Sequence, residues 1–331
     1  MNVPPLFVGL DVGGTTMKAG VVDEAGKPVG PPVSLPTEAA KGQNHGLLQM
    51  VATIKQAVAA ARARTDRIVA IGVATPGSMD IPAGVMLEPP NMKPWRNVPV
   101  RDFIVDSFKK PTAFQNDANA AAYGEFWVGA GREYRSMVLF TLGTGVGGGI
   151  ILDDKIVEGE HSHGAELGHM KIEMTNPRLC GCGKRGCLEA YASASAVVAR
   201  TREALNSNLT PSTLRDLLKG RVALTARDVF KAAADGDALG AKIVDETAFY
   251  LAIGASNLMH VIDPDVIAFA GGMTAAGDSF LNRIKEHVKS VAFPVPAEKC
   301  VIRYAQLGTD AGFIGAAGCA RLLWQREVKP P

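Results

Sequence analysis

The chain has 331 residues, 47% hydrophobic and 21% charged, which at roughly 150 residues per domain suits two globular domains and excludes a disordered, collagen-like or coiled-coil chain. Lysine and arginine number 35 against 33 aspartate and glutamate, a formal net charge of +2, so the balance asks for no polyanion and no nucleic-acid partner is expected. No apolar run approaches the ~18 residues of a membrane helix, and the start Met-Asn-Val-Pro-Pro lacks a secretion signal; no membrane association and a cytoplasmic location are expected. A short apolar strand at 6–11, the Gly13-Gly14 turn and a strand-like run at 19–22 read as a hairpin. Residues 47–63 are apolar at helical spacing and predict an amphipathic helix; residues 68–73 read as a buried strand stopped by Thr75-Pro76-Gly77. Pro89, Pro90, Pro94 and Pro99 predict an irregular segment, and residues 112–115 a strand running into Asn116-Asp117.

The pattern then restarts. An alanine-rich helix at 118–126 is followed by a strand at 137–142, a glycine turn at 143–149 and a strand at 150–152. Helices are predicted at 191–205, after Thr225 with Asp228 closing a capping box, at 239–259, from about residue 275, and at 312–324; strands are predicted at 266–270 and 301–304. No low-complexity linker intervenes, so two units sharing an extensive interface, with the site there, are expected.

Three glycine clusters suggest ligand contact. Asp11-Val12-Gly13-Gly14-Thr15-Thr16-Met17-Lys18 offers backbone amides unobstructed by side chains, two hydroxyl donors, and a carboxylate to hold Mg²⁺ through water. A tight hairpin alone needs one or two glycines and none of the flanking Asp, Thr and Lys, which favours phosphate binding. Gly143, Gly145 and Gly148 have the G-x-G-x-x-G spacing, but a dinucleotide fingerprint requires a helix next, and here a strand continues. Gly271-Gly272 follows a buried strand, where close approach of a flat ring such as adenine competes with plain packing.

Asn116-Asp117 sits where a strand ends and a helix begins, where an N-cap Asp would sit, and capping is the plain explanation of that Asp; a carboxylate there, in the company of two phosphate loops, is also placed to take a proton from an attacking hydroxyl. Five cysteines are an odd number for a disulfide framework, and Cys180, Cys182 and Cys187 crowd into eight residues. With one imidazole from His161, His163 or His169 they make a closed Cys₃His set, the composition of a structural zinc site. Cys300 and Cys319, in apolar surroundings, read as packing residues.

Together these segments resemble the ROK family of sugar kinases, most closely its glucokinases, within the actin-like ATPase superfamily. The likeness runs through D-x-G-G-T-x-x-K at 11–18, A-T-P-G at 74–77, N-D-A-N at 116–119, L-G-T-G-V-G-G-G at 142–149, E-L-G-H at 166–169, C-x-C-G-x-x-G-C-x-E at 180–189 and Gly271-Gly272. The resemblance implies an α/β, two-domain actin-like ATPase (ribonuclease H-like) fold with an interdomain cleft. Its domains would be residues 1–117 and 118–310, the latter with the zinc site, and a C-terminal helix at 311–331 would pack back on the first. It also implies ATP-dependent phosphorylation of glucose at the 6-hydroxyl. Asp117 would be the general base, with Asn116, Glu166, His169 and Glu189 on the sugar, Gly77 and Asn91 closing its pocket, and His169 completing the zinc set with Cys180, Cys182 and Cys187. Asp11, Gly13, Gly14, Thr15, Thr16, Lys18, Thr144 and Gly145 would hold ATP and Mg²⁺, and Gly271 and Gly272 would face adenine. A homodimer is implied; some family members are repressors with an N-terminal helix-turn-helix, for which a phosphate loop starting at Asp11 leaves no room. Another hexose (N-acetylmannosamine, N-acetylglucosamine, fructose or mannose), a donor such as polyphosphate or ADP, or a non-catalytic sugar sensor are the alternatives. His161 and His163 before the E-L-G-H segment and the proline-rich stretch leave specificity open.

Overall fold

The computed structural model describes residues 4–89, 91–207, 211–219 and 223–328; Pro90 of the proline-rich stretch and the first three residues lie outside them. The chain divides into two compact units, one of Met1–Arg135, Gly149–Ala165 and Gln306–Pro331, the other of Ser136–Gly148 and Glu166–Ala305.

In the first unit β1 (Leu6–Val12) and β2 (Thr16–Asp23) form the hairpin and β3 (Val33–Pro36) adds an edge. Helix α1 (Gln43–Ala60) leads to β4 (Ile68–Thr75), a small hairpin of β5 (Ser78–Asp80) and β6 (Val85–Glu88) follows, and α2 (Val100–Phe108) precedes β7 (Thr112–Asn116) and α3 (Asp117–Val128). The strand order is β3-β2-β1-β4-β7, with β1, β4 and β7 parallel.

The second sheet has the same plan. Strands β8 (Ser136–Leu142), β9 (Val146–Leu152) and β10 (Lys155–Ile156) are followed by α4 (Glu189–Ala192), α5 (Ala194–Ser207), α6 (Leu214–Lys219), α7 (Ala226–Ala234) and α8 (Ala238–Ile262). Then come β11 (Val266–Ala270), α9 (Asp278–Val291), α10 (Pro294–Lys299), β12 (Val301–Tyr304) and α11 (Ala311–Val328). The order is β10-β9-β8-β11-β12, and Phe140 stacks on Phe269 across the parallel pair β8 and β11. From Gly149 onward β9 groups with the first unit.

Two local expectations need correction. The helix predicted at 191–205 is two, α4 and α5, because Ser193 turns extended and its hydroxyl accepts the Ala196 amide to start the second. After Gly271 the chain makes a 3-10 turn, Gly272–Ala276, and α9 begins only at Asp278. The proline-rich stretch is irregular at its described residues, as expected, between the β5–β6 hairpin and α2.

The first sheet's strands alternate as their period of two dictates. Leu6, Val8, Leu10 and Val12 of β1 enter a core with Leu47, Met50 and Ile54 of α1 and Ile104 of α2, while Phe7 joins Phe313, Ile314, Ala317 and Ala320 of α11. On the α11 face Gly9 lies in register with Gly20 of β2 and Gly72 of β4. A Cβ at Gly9 would fall 1.8 Å from the Phe313 carbonyl oxygen, one at Gly72 1.7 Å from that of Ala316, and one at Gly20 2.4 Å from the Phe313 ring. Helix α11 thus lies backbone against sheet. It meets α3 in the same way: a Cβ on Gly315 would fall 1.6 Å from the Ala120 carbonyl oxygen.

Candidate active site

The first glycine loop turns between β1 and β2. The Gly13 amide donates to the Thr16 carbonyl at 2.9 Å, and Thr37 straps the turn from β3's end, its hydroxyl on the Gly13 carbonyl at 2.6 Å and its amide on that of Thr15 at 2.8 Å. Thr15 and Thr16 are exposed, and Asn91 packs against Gly14, where a Cβ would lie 3.5 Å from its own. Gly77 has φ 85°, which turns the chain after β4. Lys18 does not point away from the protein: its ammonium donates to the Thr309 carbonyl at 3.2 Å and hydroxyl at 3.0 Å, and pairs with Asp310. The start of α11 is thereby tied to this loop, and a Cβ on Gly312 would come within 2.2 Å of an Asp11 carboxylate oxygen.

At the end of β7 the cap expected of an aspartate falls instead to the residue before it. Asn116 is the N-cap of α3, its Oδ1 accepting the amides of Ala118 at 2.9 Å and Asn119 at 3.2 Å. Asp117 occupies the first helical position, one oxygen accepting the Ala118 amide at 2.8 Å, where the helix dipole favours a carboxylate. Burial, and after it the nearby charge of Asp117, push the Asp11 carboxyl up to about 7 against the opposing pull of Lys18. Two mutually repelling carboxylates beside a glycine loop are a donor set suited to a divalent cation. Thr75 Oγ1 and Asn119 Oδ1, on the strand beside Asn116 and on the helix it caps, are buried without a partner.

In the second unit the loop at 143–145 turns from β8 into β9, and the Gly143 carbonyl accepts the Ala194 amide at the start of α5. Gly271 (φ 95°) abuts the end of β8, where a Cβ would lie 2.3 Å from the Leu142 carbonyl oxygen, so strand packing explains this glycine; Gly272 faces open space. Gly272, Met273, Gly143, Thr144, Phe230 and Arg227 are among the residues lining a cavity of about 630 Å³, mostly apolar and wide enough for an aromatic ring system. Phe230 is fixed edge-on against Phe280. The sequence reading missed the α7 residues here: the capping box of Thr225 and Asp228 located the helix, and nothing marked what its face lines.

His169, Cys180, Cys182 and Cys187 converge, their ligand atoms all within 4.8 Å of one another. Cys182 and Cys187 sulfurs are 3.8 Å apart, matching the ~3.8 Å edge of a tetrahedron with 2.3 Å metal–sulfur bonds. It is Nδ1 of His169 that faces Cys180, also at 3.8 Å. Lys171, which no motif marked, donates to the Cys187 sulfur at 2.8 Å and would steady a thiolate. Glu189 joins this cluster to the glycine loop: it accepts the Val146 amide at 3.0 Å through one oxygen and the Cys180 thiol at 3.3 Å through the other. Glu166 begins the short turn that carries His169, whose amide donates to the Glu166 carbonyl at 3.0 Å. Among the described residues neither His161 nor His163 falls in this cluster; His163 Nδ1 instead meets the His161 carbonyl at 2.5 Å. Cys300 and Cys319 are buried thiols, each pushed up to about 12 by burial.

A model described as the ROK family matches residues 7–322. The chain is 36% identical over 309 residues to a glucokinase of Halalkalibacterium halodurans, covering 93% of each. It is similar to the ROK hexokinase structure from Thermus thermophilus, at 30% identity and a TM-score of 0.84, over 98% of this chain and 100% of that one. It is likewise similar to a ROK family glucokinase from Streptomyces griseus in complex with glucose and AMPPNP, at 32% identity and a TM-score of 0.75, over 96% and 99%. These likenesses show an α/β chain of the two-domain actin-like ATPase fold.

A raised carboxyl costs stability once it must ionise. For Asp11 the cost is absent below its ordinary range near pH 4 and grows as pH rises to about 7. In ligand-free protein without added magnesium, Asp11→Asn should therefore melt above the wild type at pH 8, with the difference narrowing toward pH 5. A variant melting no higher than wild type at pH 8 contradicts the buried-carboxyl assignment.

Proposed function

The chain belongs to the ROK family, and from that premise we propose that it is a hexokinase that transfers the γ-phosphoryl group of ATP to the 6-hydroxyl of glucose. The observation that carries this reading is Asp117, relieved of helix capping by Asn116 and electrostatically coupled to Asp11 beside the first glycine loop. A carboxylate so placed takes the hydroxyl proton as the sugar oxygen attacks the γ-phosphorus in line, and ADP leaves. Amides and hydroxyls of Gly13, Gly14, Thr15, Thr16, Thr144 and Gly145 meet the phosphates, and Lys18 acts by holding the start of α11 at the loop. The adenine enters the cavity of Phe230, Met273 and Gly272. Asp11 would hold Mg²⁺, which when bound would neutralise charge on the phosphates.

Asn116, Glu166, His169 and Glu189 fix the remaining hydroxyls, with Gly77 and Asn91 enclosing the sugar. Cys180, Cys182, Cys187 and Nδ1 of His169 would hold a structural zinc ion, which would leave Nε2 of His169 for a sugar hydroxyl and orient that substrate contact. The glucokinase likeness and the glucose and AMPPNP complex of the Streptomyces griseus relative support glucose and an adenine nucleotide as the pair.

Asp117→Asn should bind glucose as the wild type does, by calorimetry, while kcat falls about 10²–10⁴-fold; a variant keeping a tenth or more of the rate would remove Asp117 from the role of base. Metal analysis of protein purified without added zinc should give close to one zinc per chain, and a folded, metal-free protein contradicts the zinc assignment.

A further inference from the structure

The strand end that carries Asn116 and Asp117 is held by side chains that no motif marks. Gln115, the preceding residue on β7, is 2% exposed. Its side-chain carbonyl oxygen accepts the Asn116 amide at 2.8 Å and the Asn119 side-chain amide at 3.3 Å, and its Nε2 donates to Glu158 Oε1 at 2.7 Å. A flipped Gln115 amide would set N–H against two N–H donors and leave the Glu158 carboxylate facing an oxygen, so the acceptor at Glu158 selects the orientation that receives Asn116.

Glu158 is itself pinned. Its amide donates to the Ile156 carbonyl at 3.1 Å, its carbonyl accepts the Gly164 amide at 2.7 Å, and a Cβ at Gly164 would fall 2.5 Å from the Val157 carbonyl oxygen. Within the loop that this closes, Ser162 accepts the Ile81 amide at 3.0 Å beyond β5. The acceptor therefore sits on a fixed loop.

We infer that Glu158 and Gln115 are positioning residues for the Asn116–Asp117 pair: the Glu158 carboxylate orients the Gln115 amide, which fixes the Asn116 backbone and the Asn119 side chain and so the first turn of α3 from which Asp117 projects. Neither residue touches a reacting atom. The kinetic consequence rests on the hexokinase reading; the structural one does not.

The test is a charge swap with two readouts, steady-state kinetics with glucose and ATP and hydrogen exchange of the Ala118 and Asn119 amides, the two that Asn116 caps. Gln115→Met removes all three bonds at similar length and should lower kcat about tenfold to a hundredfold, as small misplacements of a catalytic group do, with KM for glucose changing far less and both amides exchanging faster. Gln115→Glu opposes two carboxylates and should be impaired in the same way. Adding Glu158→Gln to Gln115→Glu restores the pair with donor and acceptor exchanged, since the carboxylate now at position 115 still accepts the Asn116 amide, and should recover most of kcat and of the protection. If the wild type turns over no sugar yet exchange follows this pattern, the hexokinase reading fails and the positioning contact stands. Wild-type kcat and protection in Gln115→Met, or a double variant no better than Gln115→Glu alone, overturn the inference.

Discussion

Backbone-to-backbone packing of the last helix on the first sheet is the constraint from which much of the first unit follows. Gly9, Gly20 and Gly72 form a row across three strands, and Gly124 and Gly315 let α3 and α11 meet in the same way, since a Cβ at any of the five would come within 2.6 Å of another heavy atom. Interiors are packed densely enough that one methyl group there forces the backbone to move. What the close approach delivers is position. Glu125, fully buried, accepts the amides of Ala130, Gln306 and Leu307 and so fixes the chain just before α11. Thr309 and Asp310 then take Lys18, and Gly312 arrives against Asp11. The start of the last helix thus becomes part of the first loop's surroundings, some 290 residues away in sequence.

Electrostatics gives that location its chemistry. Asp11 stands on a buried strand, and Asp117 at a helix start raises it further. Such a pair is costly without a cation and suits one. In the second unit one carboxylate, Glu189, holds both a glycine loop and the cysteine cluster, so the order of one is coupled to that of the other.

Elements with strong periodicity were legible in the sequence: β1, β4, β8, α8 and the duplicated opening all come from patterns of buried side chains that local spacing reveals. Glycine clusters and cysteine crowding also read through, because close backbone approach and the convergence of several thiols require unusual residues. Other features did not. Ser193 breaks a helix by an extended backbone that no proline announces, and β5, β6 and α2 are too short for their periodicity to stand out. In the candidate site the missed residues, Gln115, Glu158, Thr309, Asp310 and Phe230, are ordinary ones made important by partners distant in the chain. The cap expected of the aspartate in Asn116-Asp117 proves to be Asn116, since both residue types favour that role and only the side-chain geometry tells them apart.

The most direct test of the account is ADP release, followed by a coupled optical readout, from the zinc-loaded protein with MgATP and glucose, mannose, fructose, N-acetylglucosamine or N-acetylmannosamine in turn. The account predicts turnover with the highest kcat/KM for glucose. Glucose binding without ADP release from any sugar would contradict it and make the chain a sensor or a user of another phosphoryl donor.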